Sequence, residues 1–165
     1  MEAHASIFTR WLVLGSLCLL SPMAPAAQPQ IVVITGAQAP QLSFDRGTLR
    51  NIYLKRIYVD GRGQPLIPVN LPSRSPLREA FSSVALHMDD AQQQDYWDRQ
   101  YYQGVSPPYV LASSSAVVRF VAQTPGAIGY VEPCAVDATV HVVLTIALPP
   151  RLAEDLPACS DHRIP

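Results

Sequence analysis

The chain is 165 residues long, 48% apolar and 15% charged, with a formal net charge of -1. This length and composition suit one domain with a real core and exclude a disordered chain. A charge this close to zero leaves no electrostatic footprint for nucleic acid or an anionic membrane, so neither is an expected partner.

In chain order, the first 26 residues read as a processing segment. Arg10 precedes an apolar run over residues 11–20 that is short for a membrane span, and Ser21 and Pro22 break it. Ala24 and Ala26 then supply small residues at the -3 and -1 positions of a cleavage site. The expectation is a signal peptide over 1–26 that sends the chain to the periplasm, with no stable membrane insertion after removal. The alternative is an uncleaved anchor. Leu17 before Cys18 does not fit a lipoprotein signal, which wants a small residue there. Removing the segment takes away Glu2, Arg10 and Cys18, which leaves 11 basic and 12 acidic residues and two cysteines, Cys134 and Cys159. An even pair in an exported chain favours a disulfide, the alternative being two free buried thiols.

Residues 30–35, Q-I-V-V-I-T, form a continuous β-branched run expected to be a buried strand. Ser43 or Asp45 caps a helix that carries Leu49, Ile52 and Tyr53 on one side. Residues 65–69 read as a second strand that ends in a polar turn. A helix follows, with Ser75 as N-cap, Pro76 at its first position and Leu77, Ala80, Phe81, Val84, Ala85 and Met88 along one face. Asp89 or Asp90 caps a third helix, on which Trp97 and Tyr101 are expected to pack inward and Gly104 marks the end. Residues 109–111 read as a strand and the serines at 113–115 as N-caps of a helix. Residues 127–131 read as a strand in which Gly129 implies close approach of backbone or ligand. Residues 139–146 are mostly apolar and are expected to be another buried strand, followed by a Pro-rich tail over 149–165. The globular part spans 27–148. Alternating strands and helices give α/β layering with a mixed sheet flanked by helices.

The stretch V-N-L-P-S-R-S-P-L at residues 69–77 carries the chemistry. A strand, a polar loop and a helix start leave backbone N–H groups and the positive end of a dipole facing the loop. The candidate anion-binding residues are Ser73, Arg74, Ser75 and Leu77, joined by Thr35 and Gly36 at the end of the first strand. The competing view is an ordinary helix cap with a solvated arginine. His87, His141 and His162 have no metal-ligand spacing, so no metal is expected. Neither a nucleophile elbow nor a phosphate-binding or dinucleotide glycine motif is present, so no cofactor is expected and the chain reads as a non-enzyme. The tyrosines at 96, 101, 102 and 109, with Trp97, are read as core, the alternative being a partner surface.

The segments T-L-R-N-I-Y-L-K-R (48–56), P-L-I-P-V-N-L-P (65–72), S-P-L-R-E-A-F (75–81), D-Y-W (95–97) and T-P-G-A-I-G-Y-V (124–131) resemble, in this order, the substrate-binding proteins of phosphate ABC transporters. What the resemblance implies is a single lobe of the periplasmic binding protein-like (type II) fold. In that family two lobes close on phosphate, held by a Ser-Gly-Thr loop at a helix start with an Arg and an Asp nearby. The matching positions here are Ser75, Pro76 and Leu77, and the family's arginine would fall near Leu71. Pro76 has no N–H to donate and Leu77 no hydroxyl. The first strand's end, residues 34–37, resembles the family's first phosphate loop. The expectation is an exported solute-binding-type module that takes phosphate or another small oxyanion and serves an envelope ABC transporter. The alternative is a ligand-free scaffold of the same fold with a protein partner.

Overall fold

The computed structural model describes residues 28–39, 43–156 and 159. The expected signal peptide and its cleavage site lie outside them. Five strands form one mixed sheet: β1 (Gln30–Gly36), β2 (Ile67–Asn70), β3 (Tyr109–Val110), β4 (Ala127–Val131) and β5 (Val140–Ala147), in the order β3-β2-β4-β1-β5. β2 runs parallel to β3 and β4, whereas β1 is antiparallel to both β4 and β5.

The described residues also form four α-helices: α1 (Arg46–Tyr53), α2 (Pro76–Phe81), α3 (Asp90–Tyr101) and α4 (Ser114–Gln123). Gly129 and Tyr130 are neighbours on β4, so their side chains point to opposite faces. A Cβ on Gly129 would lie 2.4 Å from Val117 Cγ1, so α4 covers that face at a distance only glycine allows. On the other face, Tyr130 stacks on Phe81 at 3.8 Å between ring centroids, and Tyr53 packs against both rings. The Tyr53 hydroxyl donates to the carbonyls of Val69 and Ile128, which ties α1 to two adjacent strands. The sheet is therefore the middle of three layers, with α1 and α2 on one side and α4 on the other. Gly129 thus serves helix packing.

Asp45 caps α1 by accepting from the Thr48 N–H at 2.7 Å. Asp89 and Gln92 form a reciprocal capping box at the start of α3. After Phe81, α2 widens into a π-helical turn, Ser82–Leu86, that ends on His87 in the left-handed region. The expected helical face therefore fails beyond Ala85. The widened turn brings Leu86 and Ser82 inside and leaves Val84 and Met88 half-buried.

Two further expectations change. On α3, Tyr101 is 73% exposed and Trp97 half-buried, while Gln93 and Tyr96 face inward. The Tyr96 hydroxyl donates to the Leu54 carbonyl at 2.7 Å, which fixes the phase of the helix. Tyr102 and Tyr109 are exposed too, so the aromatic group is core only at Tyr96 and partly at Trp97. β5 is an edge strand that pairs with β1 alone among the described residues, with a register shift opposite Val33 and Ile34. Only Val140 and Ile146 along it are buried. Its apolar composition resembles that of the buried strands, but an edge position lacks a second neighbour to cover it.

Leu148 is buried and Leu152 and Leu156 pack against the core, so the tail begins by continuing the domain. The disulfide Cys134–Cys159 ties it to the end of β4 across a sequence separation of 25. No helix among the described residues is long and apolar enough to cross a membrane.

Candidate functional site

β2 and β3 are adjacent and parallel, yet the chain leaves them toward opposite faces. The connection after β2 starts α2, which lies on the Tyr130 face, and the connection after β3 starts α4, which lies on the Gly129 face. Diverging connections leave a crevice outside the carboxyl ends of the two strands. A crevice of about 420 Å³ opens there, lined by Leu71, Arg74, Ser75 and Leu77 from the first connection, Ser113 and Ser114 from the second, and Glu132 after β4.

Two helix starts meet at this crevice. Ser113 caps α4 by accepting from the Ala116 N–H at 3.2 Å. Ser75 occupies the N-cap position of α2, but its side chain makes no capping bond there, and its own N–H donates to the Pro72 carbonyl at 2.9 Å. Ser114 Oγ donates to Glu132 Oε2 at 2.5 Å, which joins the α4 start to the strand β4. The wall therefore carries three hydroxyls, one exposed guanidinium (Arg74) and one carboxylate among apolar side chains.

Beneath the wall lies a buried polar layer. The Tyr130 hydroxyl donates to Asn70 Oδ1 at 3.2 Å and accepts from the Leu71 N–H at 3.4 Å. Arg78, 9% exposed, donates through its two terminal nitrogens to the Leu71 carbonyl and to Gln93 Oε1, each at 3.0 Å, while its Nε has no partner. Burial pushes the phenols of Tyr53 and Tyr130 well above the usual tyrosine range, so both stay neutral donors; at Tyr130 the nearby Arg78 opposes part of that rise.

Of the sequence-derived candidates, Arg74, Ser75 and Leu77 line the crevice, with the Leu77 side chain buried, and Ser73 is exposed on the same loop. Thr35 and Gly36 do not join them. β1 is antiparallel to β4, with Val32 opposite Val131 and Thr35 opposite Ile128, so Thr35 and Gly36 lie toward the amino end of β2 and β4. Thr35 is 2% exposed, and Gly36 borders a separate cavity with Gln64, Pro65 and Gly126. A strand ending in Thr-Gly does not reveal its direction relative to neighbours that lie far along the chain. Ser113, Ser114, Glu132 and Arg78 were not singled out as site residues from sequence. The run of three serines marks a helix start in the sequence, but only the strand order brings that start beside residues 71–77.

No protein-family model and no curated protein sequence matches the chain. Among solved structures, it is similar to an ABC-type phosphate transport receptor from Vibrio cholerae, at 19% identity and a TM-score of 0.56 over 70% of this chain and 45% of that one. It is similar also to a protein from Clostridium perfringens, described as a phosphate ABC transporter substrate-binding protein with bound phosphate, at 19% identity and a TM-score of 0.57 over the same shares. PstS from Borrelia burgdorferi aligns at 15% identity and a TM-score of 0.50 over 65% of this chain and 42% of that one. At such identities the likeness establishes the fold. The chain has the periplasmic binding protein-like architecture and spans under half the length of the structures it matches, which fits the single-lobe reading.

Proposed function

We propose that this chain is an exported, non-enzymatic solute-binding module whose switch-point crevice takes a small oxyanion such as phosphate and presents it to an envelope ABC transporter. The observation that carries this reading is the meeting of Arg74 and the hydroxyls of Ser75 and Ser113 in one crevice at the start of α4, where the Ser114 hydroxyl donates to Glu132. Hydroxyls and unpaired helix-start N–H groups are the donors that a tetrahedral anion needs, and the helix dipole adds favourable potential. Two of the matched proteins are described as phosphate transport proteins, and one of them holds phosphate. Titration calorimetry of the mature protein with inorganic phosphate tests the reading. Saturable heat is the expected result, and no heat at millimolar phosphate would remove the ligand.

A second reading rests on different residues. Pro76 and Leu77 offer neither an N–H from the first helical position nor a hydroxyl, and Glu132 places a carboxylate on the wall. Tyr101, Tyr102, Tyr109 and Val110 are exposed around the connection from α3 to β3. Under this reading the fold is a ligand-free envelope scaffold that contacts another protein through those aromatics. Loss of partner capture on Tyr102→Ala, with phosphate binding absent throughout, would favour it over the first.

A further inference from the structure

We infer that Arg78, and not the exposed Arg74, is the charge that makes the crevice select an anion. This rests on the oxyanion reading above and assigns its specificity to a residue behind the wall.

The two arginines lie four residues apart and differ in solvent. Arg74 is exposed, so water and salt screen its charge. Arg78 is 9% exposed, and among the described residues the groups that accept its hydrogen bonds are neutral: the Leu71 carbonyl and the Gln93 amide oxygen. Its Nε is buried without a partner, and no carboxylate among the described residues pairs with the guanidinium. Arginine does not deprotonate to escape such a site, so the protein holds an uncompensated cation. A buried charge of this kind is costly unless something of opposite sign completes it.

Position identifies what completes it. Leu71, whose carbonyl accepts a hydrogen bond from Arg78 at 3.0 Å, is itself a crevice-lining residue. The cation therefore sits one backbone unit behind the wall, with protein in place of water between. A charge acting through protein is felt more strongly than one acting through water. The carboxylate on the wall is engaged elsewhere, since Glu132 Oε2 accepts from Ser114. The missing counter-ion is the ligand, and Arg78 fixes its sign.

The test measures phosphate affinity of the mature wild type and of Arg78→Gln, Arg78→Lys and Arg74→Gln. Gln removes the charge and keeps an amide donor; Lys keeps the charge. Arg78→Gln is expected to weaken phosphate at least about tenfold and by more than Arg74→Gln does, with Arg78→Lys within about threefold of wild type. A second readout needs only the wild type. Raising sodium chloride from about 0.05 to 0.5 M should weaken phosphate by less than about threefold, because a buried charge is poorly screened. If Arg78→Gln binds as wild type does, or if salt weakens the wild type by more than about tenfold, the assignment passes to Arg74 while the oxyanion reading stands. If the wild type binds neither phosphate nor sulfate, both readings fail together.

Discussion

The two ends of the central sheet are built differently. At the amino end of β2 and β4, backbone meets backbone. Gly126 has a φ of +80°, and a Cβ there would fall 2.0 Å from the Pro65 carbonyl oxygen, while one on Gly36 would fall 2.9 Å from that of Val121. At the carboxyl end, the connections after β2 and β3 part to opposite faces, and serines stand at the two helix starts that result. The first end spends its special residues on close packing, the second on polar groups that face solvent. The difference teaches that strand order decides where a ligand can enter. The Thr35-Gly36 pair resembles a phosphate loop in sequence, but β1 runs the wrong way to deliver it to the crevice.

That contrast can be broken from either side. The largest expected loss comes from the floor beneath the carboxyl end. Phe81→Ala removes a fully buried ring stacked on Tyr130 and should cost about 3–5 kcal/mol in chemical denaturation. At the other end, Gly126→Ala should cost about 2–4 kcal/mol and leave phosphate binding intact in the folded fraction. A loss under about 0.5 kcal/mol would deny that this end is closed by glycine contact.

Tyr53→Phe should cost about 1–2 kcal/mol at neutral pH, since it strips two carbonyls of a buried donor. It also changes the pH response. Both buried phenols have folded pKa values above the unfolded value of about 10, so their contribution is complete below that pH. Above it the unfolded phenols ionise while the folded ones resist, and stability declines as pH rises. Tyr53→Phe should flatten this alkaline decline in denaturation curves measured from pH 9 upward, leaving the share of Tyr130; an unchanged slope would contradict the assignment. The smallest effect separates two of the polar residues of the wall. Ser113→Ala should cost about 1 kcal/mol through the lost cap of α4, whereas Arg74→Ala should stay within about 0.5 kcal/mol.

Much of the scaffold was legible because its signals are local. β1 and β4 declared themselves by continuous β-branched or apolar runs, and the helix starts by cap residues at 43–45, 89–90 and 113–115, of which Asp45, Asp89 and Ser113 serve as the caps. The loop from Ser73 to Leu77 was legible for the same reason. What escaped depends on partners distant in sequence. The exposure of β5 follows from its place at the sheet edge, and the burial of Arg78 from Leu71 and a glutamine on α3. Glu132 reads as an ordinary strand-end acid until the strand order sets it beside Ser114. The π-helical turn after Phe81 has no recognisable signal in S-S-V-A-L.

The location of the site is the central claim, and amide chemical-shift mapping tests it most directly. With inorganic phosphate added to the labelled protein at constant ionic strength, the amides of Ser73, Ser75, Leu77, Ser113, Ser114 and Glu132 should shift together and saturate at one affinity. Shifts confined to Gly36, Gln64 and Gly126 at the opposite end of the sheet, or no saturable shift anywhere, would contradict the account.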